Sequence, residues 1–298
     1  MGLQRSNVTI IHPDLGIGGA ERLIIDVALA LQNRGHRVTI YTSHRDKAHC
    51  FDEARDGTLD VRVRGNTLFP AHICGRLHIL MAALRQLHLT VSLLGELETR
   101  GTATTTTEED RDDIFIVDQL PACVPFLKSF ARPRHSRRQR ILFYCHFPDQ
   151  LLARRDEGGS LLRLAKVLYR FPFDWFEGWA MSASDRVVAN SKFSRGVVRD
   201  VFGSDRLGDV EVVYPCVDMD SGVSMPEKAD EDPLWGGKKI LLSINRFERK
   251  KDMALAIRAY NGLGAERRKG TRLVIAGKDF CRNLRFVQIL TWYLAGGY

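Results

Sequence analysis

Val8-Thr-Ile-Ile11, then His12-Pro-Asp-Leu-Gly-Ile-Gly-Gly-Ala-Glu-Arg22, then apolar side chains at Leu23, Ile24, Val27, Ala28 and Leu31, then Arg37-Val-Thr-Ile-Tyr41: this opening stretch decides the fold. The first run is short and β-branched, which suits a buried strand. The glycine-rich segment reads as a turn. The apolar positions after it recur at helical spacing, and Gly35 closes that helix. Arg37–Tyr41 is the next strand. A strand, a turn, a helix and a strand form the opening of a doubly wound parallel sheet.

The alternation continues outward from that unit. Ile114–Val117 reads as a buried strand ended by Asp118, Ile141–Cys145 as one ended by His146, and Arg186–Ala189 as one ended by Asn190 and Ser191. Polar residues just past strand C-termini are where such sheets bind ligands. Gly101–Asp113 is polar and of low complexity and reads as a disordered surface loop. Ser221–Gly237 is rich in Asp, Glu, Pro and Gly and reads as a linker. A new unit then begins, with strand Ile240–Ile244, helix Met253–Leu263 and strand Leu273–Ala276. The expected organisation is residues 1–220 as one Rossmann-like domain, 221–237 as linker and 238–298 as a second, incomplete one.

The bulk properties bound the function without choosing it. The 298 residues are 44% hydrophobic and 27% charged, enough for two domains with cores of their own. A net charge of +8 suits an anionic ligand or an anionic surface. None of the six cysteines forms a C-x-x-C pair, so neither a zinc site nor a redox pair is suggested, and reduced thiols facing the cytosol are expected. The polar start Met1–Asn7 and the short run after it do not read as a signal peptide. Leu77–Leu94 is the nearest approach to a spanning segment, but it carries Arg85, His78 and His88. A membrane role would therefore be peripheral.

Five motifs carry candidate chemistry, each with a plainer alternative. The Gly16–Arg22 elbow can bring backbone close to an anion at a helix N-terminus, or it can be merely structural. It is not a dinucleotide fingerprint: the third glycine position is Glu21, and Tyr41-Thr-Ser43 supplies no acid for a ribose. His146, in Phe143-Tyr-Cys-His-Phe-Pro-Asp149, can donate a hydrogen bond or act as a base, or it can be a satisfied structural histidine. Arg246 and Lys251, in Asn245–Asp252, can hold a diphosphate and stabilise it as a leaving group, or lie in a solvated loop. Arg132–Arg140 contains five arginines and can lie on acidic headgroups or in solvent. No aromatic interleaving accompanies it, so nucleic acid is the poorer partner. The aromatic run Tyr169–Trp179 can be core or can rest at a membrane interface.

His12–Arg22, Phe143–Asp149, Val188-Ala-Asn-Ser-Lys-Phe193, Val213-Tyr-Pro-Cys-Val-Asp218 and Ser243–Lys251 follow one another in a recognisable order. From about residue 7 to 277 the chain resembles the retaining GT-B glycosyltransferases of the GT4 type. Among these it resembles the α-1,3/1,6-mannosyltransferases of dolichol-linked oligosaccharide assembly. The resemblance implies an α/β fold of two Rossmann-like domains, with GDP-mannose as donor. It implies Man1GlcNAc2-diphosphodolichol as acceptor, extended by an α-1,3 and then an α-1,6 mannose. It also implies work on the cytosolic face of the endoplasmic reticulum membrane, other glycosylation enzymes as partners, and no metal or other cofactor. Carried over by motif, Gly18 and Gly19 lie near the transferred sugar and donor phosphates, His146 contacts the sugar or the acceptor, and Arg246 and Lys251 grip the diphosphate. The family's later E-x7-E segment has no counterpart here, and Lys278–Leu294 departs from the pattern. An insertion and an early stop are therefore expected, leaving this polypeptide inactive or impaired. The alternative is a non-catalytic membrane-associated fragment.

Overall fold

A computed structural model describes residues 5–73, 77–103, 112–131, 139–152, 160–216, 237–245 and 251–277. The chain divides into two compact units, Met1–Asp218 and Met219–Tyr298.

The first unit is a seven-stranded sheet. Its strands are β1 (Asn7–Leu15), β2 (Arg37–Arg45), β3 (Asp60–Val63), β4 (Asp113–Asp118), β5 (Gln139–Cys145), β6 (Arg186–Ala189) and β7 (Glu211–Val212). Their order is β3-β2-β1-β4-β5-β6-β7, and every pair is parallel. The connecting helices are α1 (Gly19–Asn33), α2 (His78–Ala103), α3 (Val124–Phe130), α4 (Asp149–Leu152), α5 (Ser160–Ser182), α6 (Lys192–Phe202) and α7 (Ser204–Leu207). The strand order turns back between β1 and β4. That switch point is where sheets of this kind open a crevice at their carboxyl ends.

Side chains alternate across each strand, so the sheet has two differently covered faces. Val8 and Ile10 pack with Ile24, Ile25 and Ala28 of α1. Ile11, Val117, Phe143 and Cys145 face the other way, into a cluster with Leu89 and Leu93 of α2, Leu127 of α3 and Met181 of α5. The apolar run Leu77–Leu94 thus supplies core. Gln86 of the same helix donates to the Leu120 carbonyl at 2.6 Å and accepts from the Cys123 N–H at 3.1 Å, pinning the segment after β4. Gly65, after β3, lies close against the same helix. Its φ is +80°, and a Cβ there would stand 2.4 Å from the Arg85 carbonyl oxygen and 2.7 Å from the Leu89 nitrogen.

Several boundaries differ from the sequence expectation; β2, for one, runs to Arg45 where Tyr41 was expected, and α8 ends at Asn261 where Leu263 was expected. β1 runs four residues beyond Ile11, because His12, Asp14 and Leu15 continue the ladder with Thr42, His44 and Arg45 of β2. The turn therefore begins at Gly16. At the other end of α2, residues 101–103 of the low-complexity stretch are helical and Asp113 already belongs to β4. Residues 104–111 lie outside the described residues.

In the second unit the described residues form β8 (Lys239–Ile244) and β9 (Thr271–Ala276), paired in parallel, with α8 (Met253–Asn261) and α9 (Ala265–Lys269) between them. Most of the expected linker, residues 221–236, lies outside the described residues.

Candidate functional site

Three polar side chains line the carboxyl edge of the first sheet around its switch point. Ile11 pairs with Val117 and Asp118 pairs with Tyr144, so His12, where the pairing of β1 with β4 stops, Asp118, the last residue of β4, and His146, just past β5, come side by side on three adjacent strands. They share the parity of Ile10, Ile116 and Tyr144, and alternation turns all three to the α1 face. His12 Nδ1 lies 2.7 Å from Asp118 Oδ2, and His146 Nε2 lies 2.9 Å from Asp118 Oδ1. Asp118 is fully buried and His12 nearly so, whereas the His146 side chain keeps about a quarter of its surface open.

A buried carboxylate is expensive unless paired. Burial pushes the Asp118 carboxyl upward, but the hydrogen bonds from His12 and His146 outweigh it and hold Asp118 below the usual carboxylate range. The His146 backbone is fixed as well. Ser194 Oγ donates to the His146 carbonyl at 3.0 Å. Ser191 caps α6 by accepting from the Ser194 N–H. The Tyr144 ring lies 5.1 Å from the imidazole of His146. Two imidazoles and a carboxylate invite a metal reading, but among the described residues no group of three or more such side chains could hold an ion.

The glycine turn enters α1 on this same face. Gly18 is the N-cap of α1, with extended backbone (φ −167°), and Gly19 is its first residue. None of Gly16, Gly18 and Gly19 has the left-handed backbone that would demand glycine. A Cβ at Gly16 or Gly19 would meet nothing within 4 Å. The chain itself makes no use of their bareness, which leaves the surface open for close approach from outside. At Gly18 the nearest group is the Glu21 carboxylate, in the first turn of the helix. Arg22 is spoken for: it donates to Asp26 and, at 2.9 Å, to Glu53.

His146, Gly18 and Gly19 all belong to the carboxyl edge of the first sheet. Lys251 belongs to the second unit, exposed just before α8. Arg246 lies outside the described residues. Sequence reading assigned no role to Asp118 or His12, although Asp118 was visible as a charge closing an apolar strand. The missing signal was adjacency, since the partners are 106 and 28 positions away.

The family model described as "Glycosyltransferase Family 4" matches residues 17–221. The chain belongs to glycosyltransferase family 4. This family 4 chain is 47% identical over 281 residues to "Alpha-1,3/1,6-mannosyltransferase alg-2" of Neurospora crassa, covering 92% of this chain and 55% of that protein. It is 49% identical over 276 residues to "Alpha-1,3/1,6-mannosyltransferase ALG2" of Eremothecium gossypii, covering 91% and 49%. The chain thus spans about half the length of the curated relatives it matches. Among solved structures it is similar to WaaG, a glycosyltransferase involved in lipopolysaccharide biosynthesis. The TM-score is 0.54 at 12% identity, over 91% of this chain and 64% of that one. That likeness concerns the fold, which is the α/β GT-B fold.

Proposed function

We propose that this chain serves a mannosyltransferase reaction from GDP-mannose to Man1GlcNAc2-diphosphodolichol, adding an α-1,3 and then an α-1,6 mannose in N-glycan precursor assembly. The observation that carries the reading is the 47–49% identity to proteins named α-1,3/1,6-mannosyltransferases, over nine-tenths of this chain. In this reading residues 1–220 form the acceptor-side domain, 221–237 the linker and 238–298 the donor-side portion. The bond between the mannose anomeric carbon and the diphosphate oxygen breaks. A bond from an acceptor hydroxyl oxygen to that carbon forms, and the hydroxyl proton is released. GDP leaves with the electron pair. Arg246 and Lys251 hold the diphosphate and offset the charge it gains. Gly18 and Gly19 admit the donor sugar and phosphates to the sheet edge. His146, the one partly open member of its trio, contacts the transferred sugar or the acceptor.

The membrane surface of the endoplasmic reticulum, on its cytosolic side, is the proposed setting, where other glycosylation enzymes would be neighbours. No helix among the described residues is long and apolar enough to cross a membrane. Support for a surface contact comes from α5. Leu164, Leu168, Phe171, Trp175 and Trp179 recur every three or four residues along it and are 42–70% exposed. An apolar stripe of that kind on a helix suits burial among headgroups. The same stripe favours a second reading, a membrane-associated chain without transfer activity of its own.

One experiment tests both. Residues 7–277 replace the matching stretch of the Neurospora relative, and the chimera receives GDP-[3H]mannose and the dolichol-linked acceptor in liposomes. The native chain is assayed in parallel. The reading expects the chimera to extend the released glycan by one and two mannoses, and His146→Ala and Lys251→Ala to abolish this. A folded chimera without transfer refutes the assignment. The native chain, which spans about half of its relatives' length, is expected to transfer little or nothing by itself; liposome flotation of the native chain with no transfer by the folded chimera selects the second reading.

A further inference from the structure

We propose that Asp118 is a positioning residue that locks His12 and His146 in opposite tautomers, so that His146 presents Nδ1 as a hydrogen-bond acceptor to a hydroxyl of the bound sugar. The identity of that hydroxyl rests on the mannosyltransferase reading; the tautomers do not.

An ionised carboxylate only accepts, and each oxygen of Asp118 already faces one imidazole nitrogen. Both contacts are therefore N–H donations. In the neutral imidazoles this puts the hydrogen on Nδ1 of His12 and on Nε2 of His146. His12 thereby holds the tautomer that a free imidazole side chain disfavours in water, which makes the arrangement diagnostic. The remaining nitrogens carry lone pairs. His12 Nε2 is buried and has no hydrogen-bond partner. It cannot reach a ligand in solvent, so His12 acts as scaffold, holding the second oxygen of Asp118. His146 is different: its side chain is partly open, and Nδ1 has no hydrogen-bond partner among the described residues.

The consequence is a choice of polarity. With the opposite tautomer, His146 would offer an N–H and select a lone-pair acceptor, such as a phosphate oxygen or a carbonyl. Locked by Asp118, it selects a hydroxyl donor. Sugars present hydroxyls, and the acceptor substrate must also release a hydroxyl proton. A neutral amide at position 118 cannot impose this. Its oxygen accepts one N–H while its NH2 group requires a lone pair, so one imidazole has to reverse.

The test is long-range 1H–15N NMR of the full chain with 15N-labelled histidine, the two signals being assigned by their loss in His12→Asn and His146→Gln. The expected spectrum has His12 protonated at Nδ1 and His146 at Nε2. Asp118→Asn should reverse one of the two. Adding GDP-mannose should shift His146 Nδ1 while leaving its tautomer unchanged. A wild-type spectrum with hydrogen on His146 Nδ1 overturns the proposal, and it does so even if Asp118→Asn fails to fold. Unchanged tautomers in a folded Asp118→Asn overturn the role of Asp118. The expected tautomers with a His146 signal indifferent to GDP-mannose that calorimetry shows to be bound overturn the contact to the donor sugar alone; no binding of GDP-mannose counts against the mannosyltransferase reading and leaves the tautomers standing.

Discussion

Replacing Glu177 with Gln should change how the stability of this protein depends on pH. Glu177 sits on α5, buried, and its carboxylate accepts the Asp149 N–H at 2.7 Å and the Gln150 N–H at 3.2 Å. Burial pushes its pKa from 4.5 up to about 7. The Asp149 charge adds to this, while the two backbone hydrogen bonds and Arg170 work against it. Between those two values the folded protein holds more protons than the unfolded chain, so stability falls as pH rises through that window. The full displacement corresponds to about 3 kcal/mol, reached by about pH 8. Gln resembles the protonated carboxyl in shape and cannot ionise. Glu177→Gln loses the ionisation but turns its NH2 toward one of the two backbone N–H groups, so it should start below wild type near pH 4.5 and then stay level while wild type falls, most of that fall coming between pH 5 and 7. Urea unfolding followed by circular dichroism at several pH values measures the difference, with m checked for constancy. Parallel stability profiles for the two proteins would refute the claim that burial dominates at Glu177.

Leu93 is fully buried between α2 and the sheet, so Leu93→Ala should cost about 2–5 kcal/mol in urea unfolding in plain buffer; no loss would mean that this helix face is not core. Gly19→Val places a side chain where nothing lies within 4 Å, so folding stability should change by less than about 1 kcal/mol while GDP-mannose binding, read by calorimetry, falls; unaltered binding would remove the turn from the donor site. Cys123 and Cys145 are buried, with thiols pushed up to about 12 by burial, whereas Cys216 is exposed. Maleimide should therefore modify Cys216 in the native protein and reach the other two only in denaturant, as mass spectrometry of the digested chain would report.

How much of this was legible in the sequence follows from what each level of structure depends on. The strands and helices of the first unit were readable because their signal is local: Ile114–Val117 is a strand by its own residue types, and α1 declares itself by spacing. Ends were less readable, because they depend on partners. His12-Pro-Asp-Leu15 looks like a turn until β2 is alongside, and then three of its four residues continue the ladder. The glycines were legible as a turn, but only coordinates separate a bare surface at Gly19 from a positive φ and a close backbone approach at Gly65.

The site depends on the least local feature of all, the order of strands. His146 could be singled out as a titratable group at a strand end, yet its meaning changes once β4 lies between β1 and β5. An aspartate directly after a fully apolar strand, as Asp118 is after Ile114–Val117, is buried by the strand that carries it. It must then find hydrogen-bond donors at the ends of whichever strands flank it. In a sheet that switches direction at its first strand, the flanking strands are β1 and β5, and His12 within β1 and His146 just past β5 stand beside it. The pairing of His12 and His146 through Asp118 thus follows from burial, parity and topology together, and from no two of them alone.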